Sequence, residues 1–341
     1  MSGQSPFKNL RLHSIIILAI VLLIIAPIVL STFQVILLAH ALINGILALS
    51  VGFLLGYIGL LSFGQAAFYG LGAYMIGLVT VVLGWPFWAG LLLALIVPPA
   101  AGAGIGFLAA KSRGIYFAMM TLAAGEVLHR YFFYTTYNVP GLGITGGANG
   151  ITPIPVPVQP PDWIYYVYYS SVFLVLVLYL FLDKVTKSSF GRALQGIREN
   201  ELRMRFIGYN TYVYKVVAFS MAAFIAGVAG MMNALLHQIA APESMSWVVS
   251  GESVLATFLG GSGTLVGPIV GGIILTYIID RISRLTAAYL IILGAMVVVI
   301  ILFAPKGIVM YLLNIFRRSA SSPQHITSKT YMSLHTKQTA V

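Results

Sequence analysis

From residue 14 onward the chain repeats one pattern: a run of some twenty mostly apolar residues, a short polar or Gly/Pro-punctuated interval, then another apolar run. Wound as an α-helix, about 20 residues match the roughly 30 Å hydrocarbon layer of a bilayer. The pattern predicts helices near 14–33, 35–61, 64–84, 86–110, 115–135, 164–183, 212–237, 249–260, 264–280 and 286–304. The expected fold class is all-α, a polytopic transmembrane helical bundle of about eight to ten membrane segments with both termini cytoplasmic. The 249–260 run is too short to span alone. It reads as a re-entrant or broken helix, which lipid tolerates only where protein or a water-filled cavity satisfies the freed backbone.

Composition turns this pattern into a solvent assignment. Only 8% of the 341 residues are charged and 59% are hydrophobic, whereas a soluble domain carries about 25% charged residues. No polar stretch is long enough for a second folded domain. The expected organisation is an N-terminal cytoplasmic segment 1–13, one membrane domain 14–316, and a Ser-, Thr- and Lys-rich cytoplasmic tail 317–341 expected to be disordered. The first apolar run follows Lys8 and Arg11 and lacks a small-residue cleavage signature, so it reads as a retained helix.

The net charge of +11 belongs to topology rather than to nucleic acid, because the basic residues sit at the ends of apolar runs. With both termini inside, Lys8, Arg11, Lys111, Arg113, Lys184, Lys187, Arg192, Arg198, Arg203, Arg205 and Lys215 fall on the inner side. Arg130, Arg281 and Arg284 fall outside, and the last two would move inside if 249–260 did not cross. The outer loop 136–163 has no Lys or Arg and is punctuated by proline, whereas the inner loop 184–211 is basic.

Candidate chemistry is sparse. The chain has no Cys, which excludes disulfides, thiolate metal sites and cysteine nucleophiles. It has no phosphate-binding loop of the G-x-x-x-x-G-K-[ST] kind, no H-E-x-x-H and no G-x-S-x-G. No catalytic residue and no metal ligand is expected, and His13, His40, His129 and His237 are scattered. Small residues recur at helical spacing at Ala48, Gly52 and Gly56, at Ala66 and Gly70, at Ala222, Ala226 and Gly230, and at Gly267 and Gly271. Such faces let membrane helices approach closely.

Two carboxylates interrupt apolar runs, and an intramembrane charge costs at least about 3 kcal/mol on insertion scales. Glu126 shares its helix with a Thr121, Gly125, His129 stripe and with Arg130; it reads either as part of a path or as a structural pair. Glu252 follows Ser250 and reads as a helix-start cap or as a path residue. Thr145-Gly146-Gly147-Ala148-Asn149-Gly150 frees backbone N–H groups for a plain turn or for a concave surface that suits a carboxylate. In the inner loop, Ser189 caps an expected amphipathic helix with an apolar Leu194, Ile197, Leu202 stripe and polar Arg192, Arg198 and Glu199. That helix lies on the membrane or docks a partner. The substrate path of a transporter fits these features best; a secondary transporter or channel would want ionisable networks or paired broken helices within the membrane.

Ordered motifs then carry a family resemblance. Gly59-Leu60-Leu61-Ser62-Phe63-Gly64-Gln65-Ala66-Ala67-Phe68, Gly70-Leu71-Gly72-Ala73-Tyr74, Arg113-Gly114-Ile115-Tyr116-Phe117 and the Thr145–Gly150 run resemble permeases of high-affinity branched-chain amino acid ABC importers. So do Phe190-Gly191-Arg192-Ala193-Leu194, Ile197-Arg198-Glu199-Asn200-Glu201, Ser250-Gly251-Glu252, Gly260–Pro268 and Ala304–Ile308, in order from about residue 40 to 310. The match looks closest to the M-type subunits of leucine/isoleucine/valine systems.

The resemblance implies a multi-pass subunit of a bacterial inner membrane, or of a prokaryotic plasma membrane, that translocates leucine, isoleucine and valine. Permeases for urea or short amides are the alternative within the same wider family. The implied partners are a second permease subunit, two ATP-binding subunits, an extracytoplasmic substrate-binding protein and membrane lipid, with no nucleic acid. ATP and Mg would act through partner subunits, with no cofactor bound by this chain. Candidate path or gate residues are Ser62, Gln65, Thr121, Glu126, Thr145, Gly146, Gly147, Asn149 and Glu252. Phe190 to Gly208 resembles the coupling helix that meets the ATPase, with Phe190, Gly191, Arg192, Leu194, Ile197, Arg198, Glu199 and Gly208 as candidates; the Glu-Ala-Ala core of the usual importer motif is absent.

Overall fold

The computed structural model describes residues 22–135, 146–156 and 162–286, with isolated positions up to 295. Segment 1–13, residues 14–21 of the expected helix 14–33, most of the expected helix 286–304, the tail 317–341, much of the outer loop and Thr145 lie outside the described residues.

The apolar runs fold as helices α1 (Thr32–Phe53), α2 (Gln65–Gly77), α3 (Phe87–Ala109), α4 (Ile115–Tyr134), α5 (Trp163–Lys187), α6 (Ser189–Glu199), α7 (Glu201–Phe206), α8 (Thr211–His237), α9 (Trp247–Gly260) and α10 (Val266–Ser283). Short π-helical turns, Leu54–Ile58 and Leu78–Val82, extend α1 and α2. Among the described residues, α1 and α2 with these extensions, α3, α5, α8 and α10 are long and apolar enough to cross a membrane. The chain is an all-α, multi-pass membrane bundle.

α1, α2 and α8 form its centre and are buried over most of their length, whereas α3 and α5 expose most of theirs. Lipid offers no hydrophobic drive for helix association, so contact must come from close approach. Gly230 of α8 lies directly on the Tyr69 carbonyl of α2, leaving no space for a Cβ. Gly272 of α10 faces α1 so closely that a Cβ there would sit 2.6 Å from the Gly45 Cα. The small-residue faces read from the sequence are these packing faces: Gly52 meets Pro268, Gly56 meets Ser262 and Gly271 meets Ala256.

These contacts also fix the ends of the bundle. α10 runs antiparallel to α1, from Ser262 beside Gly56 to Arg284, whose guanidinium lies 4.6 Å from the Phe33 ring centre. Arg198 of α6 donates to the Gly56 carbonyl, so Arg284 sits at the end opposite the basic inner loop. The chain must therefore travel from His237, which touches His40, to Ser262 through α9. Fourteen residues rise only about 21 Å as a helix. The remainder is supplied by the 3₁₀ turn Pro242–Met245, which enters the bundle and buries Met245 against Gly70. The 249–260 run is thus a broken helix that does carry the chain across, and Arg284 stays at the outer end. Irregular backbone is admissible at that depth because protein surrounds it.

The inner loop differs from its expectation. Ser188, not Ser189, caps α6, its Oγ accepting from the Gly191 N–H at 3.3 Å. The stretch 190–208 is two helices, because Asn200 leaves helical geometry and caps α7, its Oδ1 accepting from Arg203 N–H at 2.9 Å. The chain turns there, so Leu194 and Ile197 are buried while Leu202 faces outward. Glu201 ties this pair to the membrane helices: its carboxylate lies 2.9 Å from Lys215 Nζ on α8, 3.0 Å from Arg113 Nε on the α3–α4 loop and 2.6 Å from Arg205 Nη2. Lys215 and Glu201 side chains are only 4% and 12% exposed. Burial pushes the Glu201 carboxyl up, but the Lys215 ammonium, the Thr211 hydroxyl and Arg113 outweigh it, so its pKa lies below the ordinary 4.5.

Two predictions follow from this packing. Gly230→Leu should lower the melting temperature of the detergent-solubilised protein, since overpacking costs about 1–3 kcal/mol; Gly104→Ala, on an exposed face with open space around it, should leave it unchanged. A carboxyl with a depressed folded pKa stabilises above its unfolded value and loses that contribution as pH falls through its folded value. Protection factors of the α6 and α7 amides, which remove the intrinsic pH dependence of exchange, should stay high from pH 7 to 5 and fall as the pH drops below about 4.5. Glu201→Gln should exchange fast already at pH 7, with the acid step gone.

Candidate functional site

The central feature is a break inside the bundle. After the π-helical turn at the end of α1, Gly59 takes φ +76°, a left-handed conformation costly for any residue with a Cβ. The chain stays unwound until α2 begins at Gln65. Neighbouring elements satisfy the freed backbone groups. Leu60 N–H donates to Leu54 O at 3.2 Å, Phe63 N–H to Thr121 Oγ1 of α4 at 3.3 Å, and Gly64 N–H to Ser62 Oγ at 3.2 Å. Ala66 N–H in the first turn of α2 donates to Ser250 Oγ of α9 at 3.0 Å.

Ser62, Gln65 and Thr121, singled out from the sequence, are therefore brought together, all essentially fully buried. Gln65 Nε2 donates to Ser62 Oγ at 3.4 Å, and Ser50 Oγ of α1 approaches Gln65 Oε1 at 3.5 Å. Ser50 was missed, since a lone Ser in an apolar run carries no local signal. Ser250 was assigned the wrong role. α9 begins at Trp247 with Ser246 as its cap residue, because Trp247-Val248-Val249 continue the helical run toward the N-terminus. Ser250 thus lies one turn inside α9 and caps a different helix, α2.

The same shift puts Glu252 within α9, not at its start. It borders a small cavity between α1, α9 and α10 lined also by Asn44, Leu47, Ser253, Ala256 and Thr276. From Asn44 a hydrogen-bonded thread runs outward: Asn44 Nδ2 lies 3.2 Å from His40 Nε2, and His40 Nδ1 lies 3.3 Å from His237 Nε2.

Glu126 is not part of the buried cluster. Thr121 and Gly125 face the break, with Gly125 against Gly64, but the next residue is rotated by about 100°. Glu126 instead pairs with Arg130 at 2.7 Å and His129 at 3.3 Å on a partly exposed face of α4. The outer-loop candidates are also separate. Gly146 and Gly147 have φ of +70° and +58°, Asn149 ends a 3₁₀ turn, and Gly150 N–H closes that turn on Gly147 O at 3.0 Å. Ile151 then pairs with Ala240 through two backbone bonds of 2.9 and 3.0 Å, docking the loop beyond the end of α8.

At the inner end, Phe190 stacks on Tyr214 with ring centres 5.4 Å apart, and Gly191 sits against the Thr186 backbone at the end of α5. Gly191 is therefore built into helix packing. Arg192 donates to Lys187 O at 2.8 Å, Glu199 is exposed, and Gly208 turns the chain with φ +99°. Arg198 is read from the sequence as part of the polar face of this helix. It remains exposed there, yet its stem crosses Gly59 and its guanidinium bonds the Gly56 carbonyl, at the threshold of the break. Exposed apolar surface lies on α7 and its turn, where Phe206 is 88% exposed and Ile207 and Leu202 are also open.

Comparison with known proteins places this geometry. The family described as branched-chain amino acid transport system / permease component matches residues 33–302. The chain is 27% identical over 334 residues, 90% of its length and 76% of theirs, to the high-affinity branched-chain amino acid transport system permease proteins LivM of Salmonella typhimurium and Escherichia coli. It is 26% identical, over 61% of its length and 65% of the relative's, to the ribose import permease protein RbsC of Escherichia coli. No solved structure matches. A family match that runs from the start of α1 past the end of α10 makes the chain a member of the permease component family of branched-chain amino acid transport systems.

Proposed function

We propose that the chain is the M-type permease of an inner-membrane importer for leucine, isoleucine and valine, driven by ATP that separate subunits hydrolyse. The observation that carries this reading is convergence. Arg198 of the inner helix pair bonds Gly56 in the π-helical turn, and the Ser62–Gln65–Thr121 cluster gathers on the unwound segment that follows it, Gly59 to Gln65. An ATPase that moved α6 and α7 would pull directly on the backbone that holds the buried polar cluster. The exposed Phe206 and Ile207 supply an apolar surface for the ATP-binding subunit at that end. ATP and Mg engage the ATP-binding pair, and a second permease and an extracytoplasmic binding protein complete the importer. Glu201 holds the helix pair in register with α8 and the α3–α4 loop.

The names of the LivM relatives, matched over most of both chains, support branched-chain amino acids over sugars; the ribose relative aligns over a shorter stretch. The chain's face of exposed apolar residues on α3 and α5 suits lipid and a second permease subunit.

The test is uptake by proteoliposomes holding the full complex with its binding protein. Leucine should accumulate only with ATP, and excess ribose should not compete. Arg198→Ala should reduce uptake by about tenfold, the value of one charge-assisted hydrogen bond, with a smaller fall in ATP hydrolysis. Ribose accumulation without leucine uptake would overturn the substrate; equal losses of uptake and hydrolysis would overturn the role given to Arg198.

A further inference from the structure

The cavity beside Glu252 has a chemistry that helix packing does not require. An intramembrane carboxylate normally finds a basic partner or a donor. Among the described residues Glu252 enters no ion pair and no hydrogen bond, although the Tyr69 phenol lies within electrostatic range. Meanwhile the donor hydrogens of the polar side chains that line the cavity with it, Asn44, Ser253 and Thr276, are committed elsewhere. Thr276 Oγ1 donates to Gly272 O at 2.8 Å, and Ser253 Oγ donates to Ser250 O at 2.7 Å. Asn44 Nδ2 is taken by Thr276 Oγ1 at 3.0 Å and by His40 Nε2 at 3.2 Å. The polar wall of the cavity is thus a set of acceptors around one carboxylate. Such a wall calls for a ligand that brings both positive charge and hydrogen-bond donors.

Size narrows the ligand. The cavity offers about 20 Å³ to a water-sized group, above the roughly 10–15 Å³ that one such group occupies. An –NH₃⁺ group has that size and carries three donors in tetrahedral array. A whole leucine does not fit, so the cavity takes a headgroup while the rest of the molecule stays outside it.

We propose that this cavity is a primary-ammonium subsite, in which Glu252, with Ser253 and Thr276, receives the –NH₃⁺ of a zwitterionic substrate passing α1, α9 and α10. The inference rests on the amino-acid importer reading above and gives that path its polar recognition element. The Asn44–His40–His237 thread orients Asn44 so that its donors stay off the carboxylate, leaving the charge of Glu252 for the ligand. α9 is broken off from α8 by the 3₁₀ turn, which lets its first turns lie inside the bundle, where the carboxylate meets the cavity.

The test compares leucine uptake by the reconstituted complex carrying wild-type chain, Glu252→Gln or Glu252→Asp, with assembly checked by co-purification of the ATP-binding subunits. Glu252→Gln keeps shape and removes charge, and uptake should fall by about tenfold or more; Glu252→Asp keeps charge and should retain most of it. Equal uptake by wild type and Glu252→Gln overturns the subsite, as does an equal loss in both variants, which marks a packing role. Wild-type complex that transports no amino acid would overturn the importer reading itself and the subsite with it. Should Glu252→Gln fail to assemble, carbodiimide modification of Glu252 in the wild-type complex, read by mass spectrometry, decides the matter. Methylammonium chloride should protect Glu252, and sodium chloride at equal ionic strength should not. Equal protection by both salts, or by neither, overturns an ammonium site.

Discussion

A backbone that leaves its helix inside a bilayer must find hydrogen-bond partners within the protein, because hydrocarbon supplies none. Between Gly59 and Gln65 the chain does leave its helix, and the partners come from four different places. Thr121 of α4 receives the Phe63 N–H, Ser250 of α9 receives the Ala66 N–H, Ser62 receives the Gly64 N–H from within the segment, and Arg198 of α6 donates to the Gly56 carbonyl just before it. Unsatisfied groups at this depth would each cost several kcal/mol. The break therefore fixes α4, α6 and α9 relative to α1 and α2. The glycine faces then set how closely the helices approach.

The same constraint gives the break its functional interest. A continuous helix would be stiff and would present no polar groups, whereas this junction is held by a few side-chain bonds that elements outside it control. One of those elements, α6, is reached from the inner face, and another, α9, carries Glu252. In the importer proposed above, displacement of the helix pair would change the Arg198 bond first and the register of Ser62 and Gln65 with it. The Glu201 cluster, in turn, ties α6 and α7 to α8 and the α3–α4 loop.

Much of this was legible in residue order. The apolar runs located the helices, the weak 249–260 run announced a broken span, and the Gly and Ala spacings marked the faces that pack. Ser62 and Gln65 stand out with their motif and Thr121 with the stripe of its helix, and the structure sets the three side by side. What escaped was set by distance in sequence. The boundary between the 35–61 and 64–84 runs falls inside the break, but Leu60 and Leu61 carry the first apolar run past Ile58, the last helical residue, so the unwound stretch reads shorter than it is. Glu201 pairs with Arg113 and Lys215, neither of which is near it in the chain. Ser250 carried a local cap signature that the structure uses on another helix. The bond of Arg198 to the bundle was not legible because its acceptor, a backbone carbonyl 142 positions away, has no sequence signature. Glu126 adjoined the inward stripe but is one helical step off it.

The central claim is that the Gly59–Gln65 break is a moving part of the path, driven from the inner face. Because the natural chain has no Cys, a single introduced cysteine reports unambiguously, and Ser62→Cys in the full complex is the most direct probe. The measurement is its rate of reaction with a small water-soluble thiol reagent, taken without nucleotide and again with the ATP-binding subunits trapped in their ATP-bound state, with Gly104→Cys on the outer face of α3 as the control. The account predicts slow reaction of the buried position in one state, a large increase in the other, and no change at the control. Equal reactivity at position 62 in both states would contradict it.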